Sequence, residues 1–389
     1  MTDSTGMTIK ELTLTVQVGS EVRLRVEHDT LADAVAWTAR TLPKTAGTLS
    51  GILLEAADDS ITLSSYDMDV SSQAVVAAVV EQPGRVLVSG RLLAEIARNL
   101  PNAPISMSAD TKVKLTCGRS TFTLPMLASE EYPPLPDLPP VIGKVPGTAF
   151  SGAVSQVSIA TSRNDAVPLY TGIRLEVDDD RLTMAATDRF RLAVREMPWS
   201  PEQVGISAAV VVQGRSLADA TKSLAGAEVI KLALSEDARM LGIESAGRRF
   251  TTRLLDGEFH KFRSLLPTES ASRVRIEVAA LSSAIKRVAL VTERNMAVRL
   301  LIKDGEVELS AGLGSETEAV EYVEARLDGD PLQIAFNPQF LLDGLAALDH
   351  PECEIRCTEA SKPVVLTGAA DSTSDRDDSY QYLLMPVRI

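Results

Sequence analysis

The 389-residue sequence predicts an α+β protein built from one unit repeated three times, each unit combining two helices with antiparallel sheets. Three markers predict it. Each occurs three times, and all keep one order along the chain.

The first marker is an apolar strand end, a turn residue and an amphipathic helix. It reads Val88-Ser-Gly-Arg-Leu-Leu-Ala-Glu-Ile-Ala-Arg-Asn-Leu100, then Val212-Gln-Gly-Arg-Ser-Leu-Ala-Asp-Ala-Thr-Lys-Ser-Leu224, then Phe336-Asn-Pro-Gln-Phe-Leu-Leu-Asp-Gly-Leu-Ala-Ala-Leu348. Leu93, Leu217 and Leu341 fall in register 124 residues apart, as do Glu95, Asp219 and Asp343, and Leu100, Leu224 and Leu348. Apolar residues at this spacing line one helix face.

The second marker is a pair of alternating strands joined by a tight acidic turn, which reads as a β-hairpin. Its copies span Gly51 to Leu63, Gly172 to Met184 and Val298 to Leu309. The third is a helix ahead of each hairpin, at Leu31-Ala-Asp-Ala-Val35, Phe150-Ser-Gly-Ala-Val154 and Leu281-Ser-Ser-Ala-Ile285.

The joints are legible too. Residues 133–140 hold five prolines in eight positions, an extended stiff linker, and Leu266 to Ser272 is a polar joint. Domains are therefore expected at 8–140, 141–267 and 268–389. Ala370 to Ser379 is acidic and turn-rich, and is expected to be a mobile loop before the last strand.

Composition bounds the function. Hydrophobic residues make up 45% and charged residues 24%, enough for ordinary cores. The start, Met1 to Leu12, lacks the apolar centre of a signal peptide, and no run nears the roughly 18 apolar residues of a membrane span. Cys117, Cys353 and Cys357 form an odd set that suits a reducing compartment, so the expectation is a soluble cytoplasmic protein. A net charge of −14 argues against nucleic acid unless positive charge gathers on one face.

Catalytic constellations are missing. His28, His260 and His350 stand in unrelated contexts, and Cys353 and Cys357 share a strand face without partners at zinc-site spacing. There is no nucleophile elbow and no phosphate loop. Gly312-Leu-Gly314 reads as a turn, and Asp178-Asp-Asp180 as a solvated hairpin tip. The expectation is no enzyme, no metal and no cofactor.

The middle repeat then supplies a resemblance. Ala186-Thr-Asp-Arg-Phe-Arg-Leu-Ala-Val-Arg195 resembles the signature of the bacterial DNA sliding clamp family, the β subunit of the replicative DNA polymerase III. Tyr382-Leu-Leu-Met-Pro-Val-Arg-Ile389 resembles that family's ending, and Leu255-Asp-Gly-Glu-Phe259 and Phe336-Asn337 match as well. The Arg-Phe-Arg form is similar to actinobacterial members.

The resemblance implies three clamp domains per chain and a closed ring formed as a head-to-tail homodimer. Helices would line a hole around duplex DNA, and sheets would form the outer wall. The charge conflict then resolves: Arg40, Lys44, Arg91, Arg98, Arg163, Arg215, Lys222, Lys286 and Arg287 lie in or beside the helices expected to face DNA. The helix from Gln339 to Leu348 has no basic residue, so the lumen is expected to be uneven. Arg119, Phe122, Leu281, Glu316, Glu318 and Glu321 are the implied dimer contacts.

A groove beside the middle domain would take a short partner motif with an anchoring glutamine and apolar residues. Its implied residues are Tyr170, Thr187, Arg189, Phe190, Arg191, Leu192, His260, Leu265, Ser361, Pro363, Met385, Pro386, Val387 and Arg388. Implied partners are the polymerase III α subunit, the ATP-driven clamp loader and other proteins carrying such motifs. Two departures stand out. The family has proline where this chain has His260, and the loop from Leu42 to Leu49 lacks the family's Arg-Pro-x-x-Pro run, leaving Lys44 as substitute. They point to a paralogous clamp whose partner or inhibitor pocket is altered, inhibitor resistance being one use for it. The alternative is a clamp-fold interaction scaffold not loaded on DNA.

Overall fold

The computed structural model describes residues 21–44, 47–291, 297–312, 317–369 and 376–388. Each third of the sequence lays down one succession: a strand, a helix, the hairpin, two or three strands, a second helix and three strands. The helices are α1 (His28–Thr38), α2 (Gly90–Asn99), α3 (Gly147–Ser158), α4 (Gly214–Lys222), α5 (Val278–Val288) and α6 (Pro338–Ala346). They pack in pairs, α1 on α2, α3 on α4 and α5 on α6.

The repeat markers are core positions. Leu93, Leu217 and Leu341 are all fully buried, and so are the helix openers Leu31, Phe150 and Leu281. Each such side chain contributes roughly 1.5–3 kcal/mol, so the 124-residue spacing marks one packing site used three times. The hairpin turns carry Asp58, Asp179 and Gly305 at positive φ, where aspartate and glycine are the tolerated residues. At α6, Asn337 accepts hydrogen bonds from the Gln339 and Phe340 amides, and Pro338 occupies the first turn.

By compactness the chain forms two units, one ending at Leu135 and one starting at Pro136. In the first unit a sheet runs from Val70–Ala77 through the hairpin to Ser120–Leu127, Lys112–Cys117 and Val79–Gln82. In the second, strands of the middle and last repeats share one twelve-stranded sheet. The junction is Arg191–Pro198 against Arg376–Leu384, with Leu192 opposite Leu383 and Ala193 opposite Tyr382. Buried Gln156 of α3 donates to the Ala347 carbonyl (2.9 Å) and to Asp349 (3.1 Å) at the end of α6. Backbone pairing and a buried amide thus weld two sequence repeats into one body.

Details differ from expectation at the joints. Residues 133–140 carry no helix or strand, but the second joint stops at Ala271, because Ser272 already pairs with Gly329 and Cys357. The expected loop of 370–379 is shortened from its far end. Residues 376–379 belong to the last strand, and 370–375 lie outside the described residues. Cys353 and Cys357 do share the buried face of Glu352–Cys357.

Candidate functional site

The groove starts from a turn that the sequence encodes locally. Asp188 Oδ1 accepts from the Phe190 and Arg191 amides (3.0 and 3.1 Å), and Thr187 Oγ1 donates to the Arg191 carbonyl (2.7 Å). Arg189 is held between them at φ 80°. The first repeat builds the same turn, with Asp67 Oδ1 accepting from Asp69 and Val70 and Met68 at φ 84°. The turn is therefore a device of the repeat. What is particular to the middle copy is the side chains it presents.

Arg191 is the central one. Its Nε donates to Asp188 Oδ2 at 3.0 Å and its Nη1 to Asp343 Oδ2 at 2.6 Å. Its guanidinium lies 4.3 Å from the centre of the Phe340 ring. Tyr382 donates its hydroxyl to the Phe340 carbonyl at 2.8 Å, and burial holds its phenol well above the usual range. Arg191 thus has two carboxylates and an aromatic face around it, as a largely buried cation requires.

Beside it opens a cleft of about 220 Å³ lined by Tyr170, Thr187, Arg189, Arg191, Leu192, His260, Leu265, Pro363, Leu383 and Met385. Its floor rests on the buried cluster of Leu192, Phe259, Phe262, Val365 and Leu383. The Tyr170 hydroxyl meets His260 Nε2 at 2.8 Å, and the two rings stack with centroids 5.4 Å apart. The Arg189 guanidinium lies 5.4 Å from the Tyr170 ring centre.

Nine of the fourteen expected groove residues therefore meet in one cleft. Phe190, Ser361, Pro386, Val387 and Arg388 are not among its lining residues. Phe190 is exposed beside Phe340, and its carbonyl accepts from Met385 at 2.8 Å. Ser361 is exposed within the Glu359–Lys362 turn, and the Val387 amide donates to the Ala335 carbonyl. Sequence reasoning missed Leu383 as lining and Asp188, Phe340, Asp343 and Tyr382 as the supports of Arg191. Asp343 was visible only as a repeat marker.

The nine expected DNA-facing cations are all exposed. Arg91 and Arg98 lie on α2, Arg215 and Lys222 on α4, and Lys286 and Arg287 on α5, while Arg40, Lys44 and Arg163 follow helices. Arg91 donates to the carbonyls of Pro43 and Lys44 (3.1 and 3.0 Å), which pins the loop after α1. Arg287 is engaged by Glu321 through its Nε (3.0 and 3.1 Å) and an Nη. The hydrogen bond from Arg287 holds the Glu321 carboxyl below the ordinary range.

This pairing bears on the expected dimer contacts. Glu321 is committed within its own chain, Glu316 lies outside the described residues, and Glu318 is exposed. Leu281 is a correction: it is 0% exposed, on the core face of α5, so it is unavailable to a partner. The resemblance implied that contact, and helical spacing alone could not have told a core leucine from an interface one. Exposed apolar residues of this repeat are Leu290, just after α5, and Val320 and Tyr322, on the strand Ala319–Gly329. Among the described residues that strand pairs along 319–325 on one side, but on the other only 325–329 pair, with 272–276. In the first unit, among the described residues, Ser120–Leu127 pairs along 120–125 on one side and only at 126–127 on the other, with Arg119 and Phe122 exposed.

Among the described residues no group of His, Cys, Asp and Glu is placed to hold a metal ion, and no helix is long and apolar enough to cross a membrane. His28 bonds the Ala97 carbonyl, and burial pushes the Cys353 and Cys357 thiols up to about 12.

Comparison with known proteins shows the family. The chain matches the DNA polymerase III beta subunit family along its length: the N-terminal domain over residues 22–136, the central domain over 144–261 and the C-terminal domain over 263–388. It is 48% identical to the beta sliding clamp of Streptomyces coelicolor over 95% of this chain and all of that one. It is 42% identical to the beta sliding clamp homolog GriR of Streptomyces muensis, covering 94% and 99%. The crystal structure of the DNA polymerase sliding clamp from Bacillus subtilis superposes with a TM-score of 0.85 at 25% identity, covering 95% of this chain and 100% of that one.

Proposed function

This chain belongs to the DNA polymerase III beta subunit family, in its actinobacterial form, and we propose that it works as a DNA sliding clamp. Two chains close head to tail into a ring around duplex DNA, and the ring tethers a replicative polymerase without chemistry of its own. The domains follow the repeats, near 8–140, 141–267 and 268–389.

The observation that carries this reading is the placing of basic residues on an acidic protein. Arg91 and Arg98, Arg215 and Lys222, and Lys286 and Arg287 stand on exposed faces of α2, α4 and α5, whose other faces are buried. Such a lining attracts phosphates without reading sequence, while the net charge of −14 keeps DNA off the remaining surface. The two half-free strand edges support closure. Arg119 and Phe122 of one chain meet Val320, Tyr322 and Glu318 of its partner, and a two-fold axis then pairs both edges.

The cleft beside Arg191 takes the clamp-binding segment of the polymerase α subunit, of the loader ATPase and of other partners. Leu192, Leu265 and Met385 receive apolar side chains, and methionine adapts to varied guests. His260, set against the family's proline, marks this clamp as one with an altered pocket.

Retention on DNA tests the ring. Once loaded, the protein should stay on closed circles and slide off after linearisation, and equal retention on both would sink the mechanism. Changing Arg91, Arg98 and Arg215 to Glu should abolish loading while the solution mass stays that of the parent.

A further inference from the structure

We propose that Tyr170 and His260 form a clasp that sets which guests the cleft admits, a specificity-determining pair acting at the docking site proposed above and resting on that reading. The argument starts with what is fixed. Tyr170 sits on the short helical turn Pro168–Thr171; its amide donates to Val167 (3.0 Å), and its carbonyl accepts from Ser162 (2.7 Å). His260 lies between buried Phe259 and Phe262, and its carbonyl accepts from the Phe262 amide at 2.7 Å. Both backbones are anchored, so only the side chains can yield.

Three interactions hold those side chains in a row. They are the 2.8 Å hydrogen bond, the ring stack at 21° between planes, and the Arg189 guanidinium over the tyrosine ring. Tyr170, His260 and Arg189 all line the cleft, so closing the row sets its size. At about 220 Å³ the cleft falls below the roughly 300–1,000 Å³ of pockets that enclose a drug-sized body. It takes one or two side chains of an extended segment. A compact, rigid guest enters only if Tyr170 swings away from His260.

Proline at position 260 would offer no side-chain donor or acceptor, its one ring nitrogen being the tertiary amide of the backbone, so a chain with proline there has no such bond to open. Flexible segments avoid the cost by feeding side chains in singly, whereas a preformed ring cannot. The clasp therefore discriminates by shape, and both clasp residues are needed for one effect.

The test uses the full-length chain and two probes with the same residues, a linear peptide carrying one glutamine and two leucines and its head-to-tail cyclised form. Affinities are measured by calorimetry for the parent, Tyr170→Phe, His260→Ala, the double variant and Met385→Glu. Either clasp variant should tighten the cyclic probe about fivefold, the worth of one net hydrogen bond, and the linear probe by under about twofold. The double variant should gain no more than either single one, because the same bond is lost in each. Additive gains, equal gains for both probes or no gain overturn the clasp. Met385→Glu should abolish binding of both probes. If it leaves them bound, the docking site itself is misplaced, and the clasp falls with it.

Discussion

Asp343 Oδ2 lies 2.6 Å from Arg191 Nη1, so a helix of the third repeat holds a side chain of a groove built on the second. Arg191 is only 9% exposed, and Asp343 is one of its two carboxylate partners. Replacing Asp343 by Ala leaves a buried guanidinium short of an acceptor, which costs roughly 1–3 kcal/mol. Urea unfolding should show that loss, and affinity for a groove-binding peptide should fall with it. Asp343→Glu should recover part of both. Unchanged stability in the Ala variant would mean that Arg191 stands on Asp188 alone.

Gly344 gives a second prediction about the same joint. A methyl group there would sit 2.4 Å from carbons of the Tyr382 ring, so α6 can lie against the last strand only without a side chain at this position. Gly344→Ala gains up to about 1 kcal/mol of helix propensity but must overpack, which costs roughly 1–3 kcal/mol. The net should be a lower Tm. Gly152, in α3, is the control, because a methyl there meets nothing within 4 Å. Gly152→Ala should raise stability by about 0.5–1 kcal/mol. Both changes having the same sign would overturn the argument.

Much of this was legible in the sequence, for physical reasons that also mark where legibility ends. The repeat positions Leu93, Leu217 and Leu341 were readable because burial imposes a period, and the hairpin aspartates because positive φ restricts composition. The groove was implied by the family resemblance, carried by a local motif whose stretch from Thr187 to Leu192 forms the turn. Its supports were not, since Asp343 and Tyr382 reach Arg191 only after two repeats share a sheet. The Leu281 contact was likewise implied by the resemblance, and the surrounding residues could not correct it. A leucine at helical spacing has a face, but the sequence does not say whether that face meets its own sheet or another chain.

The cysteines yield a chemical prediction. Desolvation pushes the Cys353 and Cys357 thiols up to about 12, whereas an unfolded thiol titrates near about 8.5. The folded state therefore favours the protonated form. Its advantage is complete below about pH 8.5 and is lost as pH rises from there towards about 12. Native protein at pH 8 should resist alkylation at both sites, read by mass spectrometry, and urea should release them. The Tm should fall through the alkaline range, and Cys353→Ala should make that fall shallower. Fast labelling of native Cys353 would contradict its burial.

The last prediction separates interface from core on the third repeat. Among the described residues the strand segment from Ala319 to Glu324 is paired on one side only, with Val320 and Tyr322 46% and 58% exposed. Arg119 and Phe122 lie at the half-free edge of the first unit, with Phe122 39% exposed. Head-to-tail pairing would bury these apolar side chains and satisfy both backbone edges. Glu318 facing Arg119 would contribute register and encounter rate rather than most of the affinity. Tyr322→Glu or Phe122→Glu should therefore halve the solution mass at micromolar concentration, read by light scattering, without changing the far-UV dichroism. Leu281→Ala should do the reverse. It opens a cavity under α5 and costs roughly 2–5 kcal/mol of stability, yet the protein that remains folded should keep its dimeric mass. Arg287→Ala frees Glu321 from its in-chain partner and should affect mass less than Tyr322→Glu, because an exposed pair contributes little. A parent chain that is monomeric at moderate salt removes the interface altogether. A Leu281→Ala variant that dissociates while keeping full stability would restore Leu281 as a contact and displace Tyr322.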